Sequence, residues 1–147
     1  MSTASQPHHA TRTVVGMPLP RAARLLKASE FTKVFKNNRA STDALFRVLW
    51  RANDRDGHRL GMAVSRKVDR RAVGRNRIKR VIREHFRRWR AAQAHTDRHF
   101  DVVVLPRPRA AQTDNADLGR ALERHWQRVG ETRDDVDRAS RRTRKLN

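Results

Sequence analysis

The sequence predicts an α+β fold, a small sheet sandwiched with helices in the order helix, hairpin, helix, strand, helix. Three observations predict it. Apolar residues recur at three-and-four spacing in two well-separated segments, Ile78 to Trp89 and Leu118 to Val129, as on amphipathic helices. Leu45 to Trp50 alternates between faces as a strand does. Asp101-Val102-Val103-Val104-Leu105 is an apolar, β-branched run, as in a central strand, and Pro106 and Pro108 end it.

The elements follow in chain order. Ser29 to Lys36 predicts a short helix, because Phe31, Val34 and Phe35 share one face. The Ser29 hydroxyl is its expected N-cap, and Asn37-Asn38 its stop. In the next segment, Phe46, Val48 and Trp50 take one face of a strand, while Leu45 and Leu49 flank Arg47 on the other. Asn53-Asp54-Arg55-Asp56-Gly57 is turn chemistry, and Leu60 to Val64 reads as a second strand, which predicts an antiparallel hairpin. Ile78, Val81, Ile82, Phe86 and Trp89 form a helical stripe that includes His85. Asn76, Lys79, Arg80, Arg83, Arg87 and Arg90 fall together on the opposite side, within about 100°. The last helix has its stripe at Leu118, Ala121, Leu122, Trp126 and Val129, with Asp114 or Asn115 as cap and Gly130 as stop. The strand–helix–strand unit from Leu60 to Val102 predicts a crossover, right-handed by default. Residues 1–19 read as an unstructured extension, 20–130 as one domain, and 131–147 as a charged tail without fixed structure.

Charge narrows the function. The chain has 147 residues with 35 Lys and Arg against 15 Asp and Glu, a net charge of +20, and 29 of the cations are Arg. Such a charge calls for a polyanion, with nucleic acid first and an acidic membrane surface second. Half of the excess lies in residues 65–90, SRKVDRRAVGRNRIKRVIREHFRRWR, with twelve cations and two acids. A cationic helix face opposite an apolar stripe can follow phosphates, and Arg adds bidentate contacts and stacking. No apolar stretch approaches a membrane span, and the first twenty residues are not expected to act as a secretory signal. Without Cys there is no disulfide, thiolate metal site or cysteine nucleophile. His95 and His99 at i, i+4, with Asp97 and Asp101 nearby, resemble metal-ligand spacing only superficially. They read as a surface loop, and the acids are too scattered for a metal nuclease.

At the basic segment a family resemblance emerges. GRNRIKRVIREHFR, residues 74–87, resembles the signature of the bacterial ribonuclease P protein subunit, the protein component of the ribonuclease P ribozyme. It carries Arg75-Asn76-Arg77, Lys79-Arg80, Arg83-Glu84 and Phe86 in the family's order. Arg24 to Lys27, Glu30-Phe31 and Val34-Phe35 resemble the family's first helix. Arg59 to Lys67 resembles its strand into the basic segment, and Asp101 through Pro108 its last strand. The match runs colinearly over about residues 23–129.

The resemblance implies a two-layer α/β sandwich similar to the ribosomal S5 domain 2-like fold, with a left-handed crossover. It implies an RNA-binding subunit that helps a catalytic RNA to remove the 5′ leader of precursor tRNA and broadens its substrate range. The chain is then an enzyme component whose catalytic centre lies in the RNA, with no catalytic residue and no metal site of its own. Mg²⁺ is held mainly by the RNA. The partners are the catalytic RNA and the leader, without a membrane or a required protein partner, in the cytoplasm. Arg66, Lys67, Arg75, Asn76, Arg77, Lys79, Arg80, Arg83 and Arg87 are the implied RNA-binding residues. Phe31, Phe35, Phe46 and Val48 are the implied lining of a leader cleft between the first helix and the sheet. There is no Tyr, and Val48 stands where the family has an aromatic. Asp69 replaces a family Gly and could serve as N-cap to the basic helix. The alternatives are a ribosomal RNA-binding or RNA-chaperone protein, and a basic amphipathic module for membranes or DNA.

Overall fold

The computed structural model describes residues 19–146, apart from 94, 95 and 97, and side chains as far as Thr132. Leu19 and Leu25 are buried on opposite faces of the sheet, separated by a 3-10 turn at Arg21–Ala23. Helix α1, Ala28–Lys36, follows. Ser29 is not its N-cap. The helix starts one residue earlier, and Glu30 Oε1 accepts the N–H groups of Leu26 at 2.9 Å and Lys27 at 2.8 Å. These two bonds fix the turn ahead of the helix at Leu26 and Lys27, so Ser29 lies inside the first turn and Phe31 N is already bonded to Lys27 O. Asn38 Nδ2 donates to the carbonyls of Val34 and Phe35 and ends the helix as expected.

Four strands form one sheet in the order β1-β2-β4-β3: β1 Arg39–Thr42, β2 Phe46–Asn53, β3 Arg59–Met62 and β4 His99–Pro106. The antiparallel hairpin is β1–β2, turned at Asp43, whose Oδ1 accepts from Leu45 N and Phe46 N at 2.8 Å. The predicted pairing of the Leu45 and Leu60 strands does not form. β4 lies between them, antiparallel to β2 and parallel to β3. Val102, Val103 and Val104 are fully buried, with Val102 and Val104 packed in the core on one face of the sheet and Val103 in the core on the other, as suits a central strand. β1, with the sequence RAST, carries no apolar alternation and is defined by its partner.

Helix α2, Ala72–Ala92, is the crossover between β3 and β4. After a 3-10 turn at Pro108–Gln112, helix α3 covers Asn115–Leu146. Asp114 caps it, its Oδ1 accepting from Asp117 N at 2.8 Å. Gly130 does not stop it, and the helix continues through 131–146, where an unstructured tail was expected. Gly130 has no positive φ, and neither Pro nor Gly follows it to break the helix. The expected N-terminal extension falls almost wholly outside the described residues.

The sheet has two cores. Phe46, Val48 and Trp50 of β2, Leu60 of β3 and Val102 and Val104 of β4 pack against the stripes of α2 and α3. Trp89 stacks on Trp126 with ring centroids 5.5 Å apart and on His58 at 4.3 Å, joining α2, α3 and the β2–β3 turn. On the other face Leu49 and Val103 pack with Leu25 and Val34, and Phe31 and Leu105 lie against them.

Candidate nucleic-acid interface

Helix α2 presents its two faces as its periodicity requires. Ile78, Val81, Ile82 and Phe86 are buried, while Asn76, Arg80 and Arg83 are exposed and Lys79 and Arg87 half-exposed. The side chains of Lys79, Arg80 and Arg83 hold no ion pair or hydrogen bond among the described residues. Like charges gathered without counter-charges repel, and a polyanion relieves that repulsion.

The β3–α2 loop extends this face. Arg66, Lys67 and Arg70 are exposed and line an open cleft of about 900 Å³ with Arg75. The loop is clamped by Arg75, whose Nη1 donates to the carbonyls of Asp69 and Arg70, each at 2.9 Å. Asp69 is not the N-cap of α2, because the helix begins after Arg71 and no side chain caps it. Instead Asp69 Oδ1 accepts from Arg71 N at 2.9 Å. That backbone N–H, followed by the nearby Arg71 charge, holds the Asp69 carboxyl below the usual range. Gly74 makes this possible: a Cβ there would stand 1.9 Å from Asp69 Oδ2.

Arg77 has a different use. Its Nη1 donates to Thr113 O at 3.0 Å and Asn115 Oδ1 at 2.8 Å, and Nη2 reaches the carbonyls of Ala110 and Ala111 at 3.3 Å. It fastens α2 to the start of α3. Arg77 also lies off the arc of Asn76, Lys79, Arg80, Arg83, Arg87 and Arg90, so only the family resemblance pointed to RNA binding there. Arg70, which is not among the predicted RNA-binding residues, lines the same cleft and lies within the same cationic run.

The second predicted surface is rearranged. Phe31 is half-buried against the sheet, and Phe35 is 48% exposed. Phe46 and Val48 do not line a cleft with them: both are fully buried on the opposite face, beneath α2 and α3. Alternation puts Leu49 and the exposed Arg47 on the α1 face, with Val103 and Leu105 of β4. The sequence contains that alternation but not which face meets α1.

A buried ionic network positions α1. Arg59 is bidentate to Asp101, Nε to Oδ1 at 2.8 Å and Nη2 to Oδ2 at 2.7 Å, and its Nη1 pairs with Glu30 Oε2. Asn53 Nδ2 adds a bond to Asp101 Oδ1 at 2.8 Å. The Glu30 carboxyl is lowered to about 2, chiefly by the backbone N–H groups of Lys27 and Leu26, with Arg59 assisting. Burial among these partners makes Asp101 a structural carboxylate. His95 and Asp97, of the superficial metal-like pattern, lie outside the described residues. Among the described residues no group of three or more His, Asp or Glu is placed to hold a metal ion.

One constellation has the residue types of acyl-transfer chemistry. Ser41 Oγ is 2.7 Å from His125 Nδ1, and His125 Nε2 is 2.9 Å from Asp43 Oδ2. Ser41 and His125 are each only 2% exposed, and Arg128 Nη1 also donates to Ser41 Oγ at 2.7 Å. Burial lowers the His125 pKa despite the Asp43 charge. No substrate reaches this serine, and the set serves to tie β1 to α3. No helix among the described residues is long and apolar enough to cross a membrane.

Residues 19–130 match the Ribonuclease P family model. A ribonuclease P protein component from Thioalkalivibrio sulfidiphilus is 44% identical over 115 residues, covering 78% of this chain and 92% of that protein. One from Methylococcus capsulatus is 47% identical over 111 residues, covering 76% and 84%. Among solved structures, the Staphylococcus aureus RNase P protein superposes with a TM-score of 0.63 at 31% identity, covering 75% of this chain and 96% of that one. The Thermotoga maritima RNase P protein gives 0.61 at 33% identity, covering 71% and 96%.

Proposed function

The chain belongs to the ribonuclease P protein family, and from that premise we propose how its two surfaces divide the work. The cationic surface of α2 and the β3–α2 loop binds the catalytic RNA. The face of α1 and the sheet receives the single-stranded 5′ leader of precursor tRNA. The observation that carries the first assignment is the row of cations on α2, Lys79, Arg80 and Arg83, that have no partner among the described residues, continued by the exposed Arg66, Lys67 and Arg70. Exposed guanidinium and ammonium groups gathered on one face can neutralise several phosphates at once. For the leader, Phe35 offers an exposed ring and Arg47 a cation on the same face, above a floor of Leu49 and Val103. Ring stacking is tolerant of base identity, which suits a subunit that serves many leaders.

In this reading the chain supplies binding and orientation. Glu30 and Asp101 are committed to Arg59, Asp114 to a helix cap and Asp43 to a turn, and the reading assigns hydrolysis of the leader phosphodiester to the RNA and the Mg²⁺ it holds. The reading places the work in the cytoplasm and requires no further protein partner. The test uses the full chain with its catalytic RNA and precursors that differ only in leader length. Affinity should rise with the leader only when the protein is present. Equal affinity for precursor and leaderless tRNA in the holoenzyme would refute the assignment of the α1 face.

A further inference from the structure

β1 lies at an edge of the sheet, and its one buried residue is the polar Ser41. Through Ser41 the strand reaches α3: the hydroxyl oxygen is 2.7 Å from His125 Nδ1 and 2.7 Å from Arg128 Nη1. On the other side of the imidazole, Nε2 lies 2.9 Å from Oδ2 of Asp43, in the turn that follows β1. Donor chemistry gives this run a direction. A guanidinium donates and does not accept, so Arg128 donates to Ser41. The Ser41 hydroxyl then donates to His125 Nδ1, which must carry no proton. The ring holds its single proton on Nε2, toward Asp43. Arg128, Ser41, His125 and Asp43 thus run head to tail from cation to carboxylate, and the run requires a neutral His125.

The surroundings favour that neutral ring. Burial lowers the His125 pKa most; the Asp43 charge opposes it, and Arg128 and Arg124 of α3 add to the lowering. Arg109 of the 3-10 turn and Asp117 and Arg120 of α3 line one open cleft with Asp43 and Arg124, Asp117 being paired with Arg120. Arg107 Nη1 donates to the Asp43 carbonyl at 3.2 Å. Arg39, exposed, lies two residues before Ser41 on the same face of β1. Cations therefore outnumber acids around the ring.

We propose that this run is a proton-gated latch between the edge of the sheet and α3, closed while His125 is neutral and opened when Nδ1 takes a proton from solvent. Protonation sets a second donor against Ser41 Oγ beside Arg128. It leaves the serine proton without its acceptor in a buried site and places an imidazolium next to Arg128 and Arg124. With no apolar side chain of β1 buried, the strand then keeps only its backbone pairing to β2. An unlatched His125 titrates at the ordinary 6.5, and the latched one lower. The latch is therefore in full force above pH 6.5 and weakens as pH falls from there to the lowered value, by about tenfold for each pH unit in that window.

The test is nitrogen NMR of the histidine rings in the full chain, with amide hydrogen exchange across a pH series. Above pH 6.5 the His125 ring should carry its proton on Nε2 and none on Nδ1. Exchange at the β1 amides paired with β2, corrected for its intrinsic pH dependence, should quicken by about tenfold for each pH unit within the window, while β4 in the sheet interior stays protected. Arg128→Met removes an exposed cation and the donor that orders the run. It should raise the His125 titration and shrink the effect of pH on β1. His125→Gln, which cannot titrate, should abolish that effect and identifies the ring signal; where it fails to fold, Arg128→Met decides. A proton on Nδ1 above pH 6.5, exchange at β1 that ignores pH, an unmoved His125 titration in Arg128→Met, or a pH effect that survives in His125→Gln would each overturn the latch.

Discussion

Arg77→Ala separates fastening from RNA binding within one short motif. The Arg77 guanidinium makes two well-formed bonds, to Thr113 O at 3.0 Å and Asn115 Oδ1 at 2.8 Å, and two longer ones at 3.3 Å. A bond from a charged donor contributes about 1.5–3 kcal/mol when well formed and protected. Arg77 is only half-buried, so water replaces part of that bonding. The expected loss is about 2–3 kcal/mol, or a fall in Tm of about 8–12 °C for a domain of this size. Arg80→Ala, three residues on, removes an exposed side chain with no partner among the described residues. It should change stability by less than about 0.5 kcal/mol and flatten the salt dependence of RNA binding by about 0.7–0.9. Urea denaturation of the full chain and RNA titration across salt read both effects. Arg77→Lys should recover little stability, because an ammonium cannot span the four acceptors. The reasoning is refuted if Arg77→Ala leaves the denaturation midpoint unchanged while flattening the slope as Arg80→Ala does.

Other outcomes follow from the two cores and the α1 anchor. Phe35→Ala should cost little stability and lower leader-dependent affinity by about 1–3 kcal/mol, whereas Phe46→Ala should destabilise by about 3–5 kcal/mol; a leader-specific defect in a stably folded Phe46→Ala would contradict the observed faces. Gly61→Ala places a Cβ 2.6 Å from Phe31 Cε1 and 3.0 Å from Leu25 Cδ1, so thermal melts should show a loss of about 1–3 kcal/mol from overpacking. Glu30 titrates at about 2 in the fold against an ordinary 4.5. Its contribution is therefore complete above pH 4.5 and lost as pH falls through about 2. Glu30→Gln should flatten the stability profile in that window, and an unaltered profile would show that Glu30 does not anchor α1.

How far the sequence could be read depended on whether a signal was local. The stripe from Ile78 to Phe86 and the valines of β4 declared themselves, because periodicity and continuous burial are properties of one segment. Pairing is not such a property. The turn at Asn53–Gly57 reads as a hairpin, yet β4 from more than forty residues away takes the place beside β2. The same gap misplaced Phe46 and Val48: alternation groups them with Trp50, but only the position of α1 says which group faces a cleft. Ser29 lies inside a helix whose start is fixed by Glu30 bonding back to Leu26 and Lys27, and β1 carries no pattern of its own. The cationic face of α2 was legible as a whole, whereas the separate use of Arg77 depended on the carbonyls of a turn more than thirty residues later.

The most direct measurement combines the full chain with its catalytic RNA and precursor tRNA at low Mg²⁺ and follows release of the 5′ leader. If the chain positions RNA and leader as its surfaces indicate, cleavage proceeds faster than with the RNA alone, and Arg80→Ala, Arg83→Ala loses that gain while remaining folded. Equal rates with and without the protein, under conditions where it binds the RNA, would contradict the account.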